Sequence, residues 1–544
     1  MSDQDGLVLR LQLRTDELKP VPGGLPVSPV QEEVLVTVPT SFPLSPPRVS
    51  VEHDRFVGHP HVLQGDRLCV YLDQPQEWHP TKGVVGFLNR LWDWLDDAAA
   101  GRFDPRTALY HPVGGVLHAT AGTPTVVVRH ALDDRRPFGR WWLHARTARR
   151  LDLLPSARMA ADLSLNVVTV SAPLRYGAGS TLAGLCLALS GIDHPKVTNL
   201  LYVLAQTAAR NPAGSPLYFA LAVPPTASSA AGDRHLVCGR LPTASARWLR
   251  DAAQARGPML ELAMFDVPFE SPIEWCTVSE ERQAMSTRRD DRRPVNAYAG
   301  THVVLWGCGG LGSWVGEFLA RAGVARLTLC DPATITGGLL VRQDYTELDV
   351  GAAKADALAA RLRSIRDDLD VEVVDEPFRL IEGGNLPECD VLVDATVSNA
   401  VASGMGLFWD MTVRRPLVAR LSTDRATSTL GLLTITRPGA GPPPEEADRR
   451  TGEAVAADPA LEPYRCFWEA PDPEDEIVPA PGCSVPTFHG SGADLAAVAG
   501  TLVSLLGPHL SAAPPPGSHL VALPHSDTGA ESHRWISFTP PPVP

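Results

Sequence analysis

Residues 302–324, HVVLWGCGGLGSWVGEFLARAGV, constrain the fold more than any other stretch of the 544-residue chain. HVVLW is a short apolar strand. GCGGLG is a turn that only glycines permit, with Gly307, Gly309, Gly310 and Gly312 as its members. SWVGEFLARAGV is a helix whose free N–H groups and positive dipole end can hold phosphate oxygens. The next strand, RLTLC, ends at Asp331, 24 residues after Gly307, where a carboxylate can accept both ribose hydroxyls of a bound nucleotide. This strand, glycine loop, helix, strand unit reads as a Rossmann-like α/β nucleotide site, open at this point to either NAD or ATP.

The following segment, TITGGLLVRQDYTELDVGAAKADALAARL, supplies Arg342, Gln343 and Lys354 soon after the second strand. A triphosphate needs several cations and a dinucleotide does not, so ATP is the better reading. The glycine loop, Asp331, the Arg342-Gln343 pair, the VGxxK spacing that ends at Lys354 and the VLVDAT strand at 391–396 resemble the ThiF-like activating enzymes, in family order. The resemblance implies that Asp331 holds ribose, that Arg342 and Lys354 hold phosphates, and that Asp394 lies near Mg2+. It also implies a homodimer with an arginine crossing to the partner's site, for which Arg288, Arg289, Arg292 and Arg293 stand in the right stretch. The sequence departs from the family pattern at Leu339 (usually Asn), at Ala333 (the second Asp of a DxD) and at Val397 (where an Asp is expected).

A second block lies near the N-terminus. SFPLSPPRV at 41–49 precedes HPHVLQGDRLCVYLDQPQEWHPT, in which Cys69 follows His61 by eight positions and Trp78-His79-Pro80 comes next. This order resembles the catalytic core of ubiquitin-conjugating enzymes, with Cys69 as the acyl-carrying thiol and His61 in place of the family's Asn. A neutral imidazole N–H can donate the hydrogen bond that the Asn gives the oxyanion. His59 and His79 read as loop-capping residues.

A third thiol belongs with the nucleotide site. An acyl-adenylate can be captured on a cysteine, because a thiolate is nucleophilic at neutral pH and the thioester keeps the activation energy. Cys483, in PAPGCSVPTFHGSGADLAAVAG, stands just before a helix and resembles the GCSxPTF stretch of fused bacterial activating and conjugating enzymes. Cys466, in PYRCFWE, has aromatic neighbours that suit a packed anchor.

The nine cysteines are odd in number and scattered, which is neither a disulfide framework nor a paired CxxC zinc site. A formal charge of −14 gives no basic footprint for nucleic acid or an anionic membrane. No apolar run approaches the roughly 20 residues that span a bilayer, and the first residues lack the basic then apolar order of a signal peptide, so the expected location is the cytoplasm. Three domains are expected: a ubiquitin-conjugating-like α+β domain at 1–115 closed by a helix at 83–100, a middle α/β domain at 116–290, and a Rossmann-like ThiF adenylation domain at 291–544 interrupted by a mobile loop at 437–482. The whole resembles the fused enzymes of CBASS antiphage operons and of bacterial ubiquitin-like operons. That resemblance implies ATP-dependent activation of the C-terminus of a ubiquitin-like protein or a nucleotidyltransferase, relay from Cys483 to Cys69, and conjugation to a target lysine. Sulfur-carrier adenylation of the ThiF or MoeB type and an inactive adaptor are the competing readings.

Overall fold

The structure, a computed structural model, describes residues 2–3, 6–56, 59, 61–63, 67–71, 73–103, 119–132, 138–172, 174, 179–190, 194–224, 234–256, 269–282, 293–381, 384–396, 398–469, 489–511 and 515–538. It divides into two compact units, Met1–Arg288 and Arg289–Pro544.

In the first unit, alternating apolar residues make two nine-residue strands, β2 (Gly6–Arg14) and β3 (Gln31–Pro39), after a short β1 (Ser2–Asp3). They pair antiparallel from Gly6 opposite Pro39 to Arg14 opposite Gln31. With β4 (Arg48–Ser50), β5 (Val62–Leu63) and β6 (Arg67–Leu68) they form a sheet in the order β1-β2-β3-β4-β6-β5. A single turn, α1 (Gln74–Glu77), leads to α2 (Gly83–Ala99), which ends before Gly101 in the left-handed region at φ 62°. Phe87, Leu91, Trp94, Leu95 and Ala98 lie along one stripe of α2 and pack on Val34, Val36, Val49 and Phe56. Full burial of one large apolar side chain of this kind contributes about 1.5–3 kcal/mol, so this stripe fixes the helix on the sheet.

Residues 125–280 build a mixed sheet in the order β13-β12-β11-β10-β8-β9-β7-β14. Its strands are β7 (Thr125–Val128), β8 (Phe138–Thr147), β9 (Arg150–Leu154), β10 (Leu163–Thr169), β11 (Leu217–Val223), β12 (His235–Leu241), β13 (Glu274–Cys276) and β14 (Val278–Glu280). Helices α3 (Leu182–Ser190), α4 (His194–Arg210) and α5 (Thr243–Arg256) contribute Leu185, Leu204 and Leu249 to a core with the central strand β11, which is buried along its whole length.

The second unit is doubly wound over its first half. Strands β15 (His302–Trp306), β16 (Arg326–Cys330), β17 (Asp370–Val374), β18 (Val391–Asp394) and β19 (Leu417–Thr423) run parallel in the order β17-β16-β15-β18-β19. Antiparallel β20 (Leu430–Thr436), β21 (Gly517–Ala522) and β22 (His533–Ser537) extend the sheet. Helices α6 (Gly310–Arg321), α7 (Lys354–Ile365) and α8 (Asn399–Phe408) follow β15, precede β17 and follow β18 respectively. The order reverses between β15 and β18, which opens a crevice at the carboxyl ends of those strands, where α/β sheets hold their ligands.

One expectation needs correction. The segment 437–482 is not one continuous loop: α9 (Pro444–Ala457) and a 3-10 run, Pro459–Phe467, stand within it. Val455, Leu461 and Tyr464 are buried against Leu430, Leu432 and Leu520, and the Tyr464 hydroxyl donates to the Glu531 carbonyl. Helix α10 (Gly492–Ser511) is, by length and composition alone, the one helix among the described residues long and apolar enough to cross a membrane. Leu495, Val498, Leu502 and Leu506 of α10 are buried in the core of the unit, which accounts for its apolarity.

Candidate active sites

The glycine loop leaves β15 where close approach forbids a side chain. Gly307 has φ 89°, and a Cβ there would meet the Ala395 carbonyl oxygen at 2.8 Å. A Cβ on Gly312 would lie 1.9 Å from the Gly307 carbonyl oxygen, so the first turn of α6 rests directly on the loop. Gly310 opens α6, and Gly309 just before it faces open space with nothing within 4 Å of a Cβ. These four glycines thus make a backbone cradle at a helix N-terminus, the geometry that receives phosphate.

Asp331 is tied to this cradle. Its Oδ2 accepts the Cys308 N–H at 2.7 Å and its Oδ1 the Ala333 N–H at 2.8 Å. Each carboxylate oxygen has a second lone pair, so capacity for ribose hydroxyls remains. Lys354, the first residue of α7, donates its N–H to the Ala333 carbonyl at 2.9 Å. The buried Cys308 thiol, pushed well up by burial, also feels Asp331, which raises it, and Lys354, which lowers it; both charges therefore lie beside the loop. Arg342 and Gln343 follow a 3-10 turn and donate their N–H groups to Leu339 O, each at 3.0 Å. The Arg342 carbonyl accepts the Trp314 indole N–H at 3.0 Å. Gln343 is buried, and its Oε1 has no hydrogen-bond partner among the described residues. A buried acceptor with no partner among the described residues fits a nucleotide that brings its own donors.

Asp394 is engaged by protein partners. Its Oδ1 accepts the Thr396 N–H at 3.0 Å and O–H at 2.6 Å, and its Oδ2 accepts Arg420 Nε at 3.2 Å from the opposite position on β19. Asp394 is 2% exposed, so the arginine neutralises it in place. No group of three His, Cys, Asp or Glu side chains suited to a metal ion occurs among the described residues.

The sequence reading missed the residues that brace this cradle. Tyr345, 8% exposed, donates its hydroxyl to the Cys308 carbonyl at 2.7 Å and also lies 3.1 Å from the Lys354 carbonyl. Arg361 bridges Asp344 and Glu317, at 2.7 Å to each. Tyr345 stands two residues after Gln343 and its ring is ordinary core material, so only its hydroxyl near a glycine loop signals the role.

The first unit presents Cys69 just beyond β6. Its N–H donates to the His61 carbonyl at 2.8 Å and its thiol to the Tyr71 carbonyl at 3.4 Å. The thiol is raised above its ordinary range by burial first and by the Glu77 carboxylate second, with Arg90 and Arg67 opposing. His61 has φ 62°, a left-handed conformation in which Asn and His are enriched, and this explains how one replaces the other. Its ring is 3% exposed and packs edge-on to Phe103 with centroids 4.6 Å apart, and burial lowers its pKa. The ring is therefore neutral interior material, and what His61 offers Cys69 is its carbonyl rather than an exposed N–H. The Trp78 indole donates to Pro43 O at 2.9 Å, and His79 accepts the Thr81 N–H at 3.3 Å as a cap.

Cys483, Val397, Arg288, Arg289 and Arg292 lie outside the described residues, and Arg293 precedes the 3-10 turn Pro294–Tyr298. Cys466 packs with Phe467 and Trp468 on the α9 cluster, and its thiol is pushed up to about 12 by burial first and then by Asp424.

With both sites in view, comparison with known proteins is decisive at the level of domains. Residues 2–119 match Prokaryotic E2 family A and residues 282–401 match the ThiF family. The chain joins an E2-like domain to a ThiF domain. Among curated relatives, the tRNA threonylcarbamoyladenosine dehydratase of Escherichia coli K12 is 35% identical over 97 residues, which are 18% of this chain and 36% of that protein. The ATP-dependent ubiquitin transferase-like protein Cap2 of Enterobacter hormaechei subsp. hoffmannii is 28% identical over 142 residues, 26% of this chain and 23% of that protein. The chain thus spans little more than a third of these relatives at most. A crystal structure of E. coli MccB with ATP aligns over 46% of this chain and 67% of its own, at 15% identity and a TM-score of 0.32.

Proposed function

We propose that this E2-like and ThiF-containing chain is an activating and conjugating enzyme that uses ATP to adenylate a C-terminal carboxylate and passes the acyl group through thioesters to a target amine. One observation carries the reading. A single chain holds a glycine cradle braced by Asp331 and Lys354 and, separately, a half-buried Cys69 set between a left-handed His61 and the Tyr71 carbonyl. A sulfur-carrier adenylating enzyme has no use for the second feature.

In this reading the carboxylate attacks the α-phosphorus of ATP and pyrophosphate leaves. Cys483 takes the acyl group from the adenylate and releases AMP. The Cys69 thiolate then displaces Cys483, and a lysine amine displaces Cys69. Asp331 holds ribose, while Arg342, Gln343 and Lys354 line the phosphate side. The modifier is a ubiquitin-like protein or the C-terminus of a nucleotidyltransferase, and the expected assembly is a cytoplasmic homodimer. The names of Cap2 and of the archaeal SAMP-activating enzyme E1, 35% identical over 101 residues, support this class of chemistry.

A non-catalytic adaptor is favoured by one observation, the engagement of Asp394 with Arg420. Intact mass under non-reducing conditions, after incubation with ATP, magnesium and a candidate modifier from the adjoining operon, tests both. A thiol-labile adduct absent from Cys483→Ala and retained at Cys483 in Cys69→Ala establishes the relay. Absence of both the adduct and ATP–pyrophosphate exchange leaves the adaptor.

A further inference from the structure

Thioester exchange and aminolysis place a full negative charge on the carbonyl oxygen of a tetrahedral intermediate, and fixed donors aimed at that oxygen lower the barrier. The expected donor, the His61 ring, is turned into the interior against Phe103. The surroundings of Cys69 supply another pair. Val70 is buried in the core at 5% exposure, Cys69 and Tyr71 on either side of it are half-buried, and the Cys69 thiol donates to the Tyr71 carbonyl at 3.4 Å. The Tyr71 ring meets Trp78 edge-on at 5.9 Å, and Trp78 is itself held by Pro43, so the phenol is fixed. Its hydroxyl is buried and has no hydrogen-bond partner among the described residues. Arg90, on the rigid α2, is ion-paired to Glu77 at 3.5 Å, and Glu77 Oε1 in turn accepts the Asp73 N–H at 2.9 Å.

We propose that the Tyr71 hydroxyl and the Arg90 guanidinium form the oxyanion-binding pair of the acyl-transfer site at Cys69, with Glu77 positioning the guanidinium. Glu77, which holds Arg90 at 3.5 Å, is the neighbour of Trp78, whose ring meets Tyr71, so the ion pair brings the guanidinium to the Tyr71 side, and its charge lowers both Cys69 and Tyr71. An orphaned phenol O–H beside a cation is a site for a negatively charged oxygen, and the acyl carbonyl on Cys69 is the group that acquires one. In the step served, the amine nitrogen bonds to the acyl carbon and the carbonyl π pair moves to oxygen, where Tyr71 and Arg90 receive it. The pair then returns, the C–S bond breaks, and the amine proton ends on the Cys69 sulfur. Neither Tyr71 nor Arg90 changes protonation state.

This inference rests on Cys69 being the acyl-accepting thiol, and a test that bypasses adenylation separates the two. The full chain is acylated with the mercaptoethanesulfonate thioester of N-acetylglycine, Cys69 occupancy is followed by peptide mass, and the acyl group is then released with Nα-acetyl-lysine. Tyr71→Phe and Arg90→Gln are each expected to slow release on the order of 10²-fold, the usual cost of one oxyanion donor, with Arg90→Lys recovering most of it. Alkylation of Cys69 by iodoacetamide, which forms no oxyanion, is expected to reach the wild-type plateau rate in alkaline solution in all three variants. Tyr71→Phe deletes only a hydroxyl that has no partner among the described residues, so its thermal midpoint should not fall. Release at the wild-type rate in Tyr71→Phe and Arg90→Gln, or alkylation that falls in step with release, overturns the proposal while leaving the reading of Cys69 intact. Failure of wild-type Cys69 to acylate at all overturns both.

Discussion

The Tyr345 hydroxyl donates to the carbonyl oxygen of Cys308 at 2.7 Å, joining the segment that follows Arg342 and Gln343 to the glycine loop they are meant to serve. The same hydroxyl lies 3.1 Å from the Lys354 carbonyl oxygen, and burial raises the phenol pKa, so Tyr345 stays a neutral donor throughout the physiological range. Tyr345→Phe keeps the ring and leaves buried carbonyls without their donor. A loss of about 1–3 kcal/mol of stability follows. In ATP–pyrophosphate exchange the variant should show a raised KM for ATP, because the cradle and Lys354 lose their common brace; unchanged KM and unchanged melting would refute the role.

Two glycines three residues apart should respond in opposite ways to the same substitution. Gly312→Ala sets a methyl 1.9 Å from the Gly307 carbonyl, so the loop must move and both folding of the second unit and exchange activity should suffer. Gly309→Ala meets nothing within 4 Å, so the fold should melt as wild type does. The added methyl nonetheless occupies the space beside the helix N-terminus, so KM for ATP should rise. Circular dichroism melting with exchange kinetics reads both, and a Gly309→Ala protein with normal ATP affinity would place the phosphates elsewhere.

His61 sits at φ 62°, so its substitutions separate backbone from ring. Asn favours the left-handed region and Ala does not, at a cost of roughly 1–2 kcal/mol. His61→Asn should therefore hold the Cys69 N–H through its carbonyl and keep acyl transfer, with a modest loss from the Phe103 contact. His61→Ala should be clearly less stable by urea denaturation and slower in transfer. Equal activity in wild type, His61→Asn and His61→Ala would remove His61 from the site altogether.

The parts of the molecule most open to reading from sequence are those where one local rule dictates geometry. The glycine loop is one, since a Cβ at Gly307 or Gly312 collides with backbone. The N-terminal strands and α2 are another, because their apolar residues recur at periods of 2 and 3.6. Helix α9 was misread as loop although Pro444 at its first turn and Glu445 and Glu446 behind it are helix-start signals. Its buried stripe is Ala447, Thr451 and Val455, whose small and partly polar side chains carry little periodic signal among prolines and acids. Arg90 and Tyr71 were invisible for a different reason. Neither belongs to a spacing rule, and α2 must be folded onto the sheet before Arg90 is seen to pair with Glu77, 13 positions earlier, next to the Trp78 that meets Tyr71. The pairing of Asp394 with Arg420 across two strands was likewise out of reach of a motif, which shows the aspartate and not its partner.

Asp344 and Glu317 give the second unit a pH dependence whose sign can be worked out. Burial first, and then the hydrogen bond to Glu317, raise Asp344, with Arg361 opposing. Burial would also raise Glu317, but hydrogen bonds from Asp344, Arg321 and Arg361 outweigh it and hold that carboxylate well below its usual range. A proton shared between Asp344 and Glu317 accounts for the two opposite directions. A raised carboxyl pKa means that the folded state binds more protons than the unfolded state between the ordinary aspartate value of about 4 and the folded value. The folded value is about 7, so the contribution from Asp344 is full below the window and is lost as pH rises through it. Glu317 works the other way, its contribution being lost only as pH falls below the ordinary glutamate range. Asp344→Asn keeps a donor to Glu317 without a titrating proton. Thermal melts of the full chain between mildly acidic and neutral pH should therefore show a falling midpoint of the second unit in wild type and a flatter one in Asp344→Asn. Parallel profiles for the two proteins would mean that the shared proton does not exist.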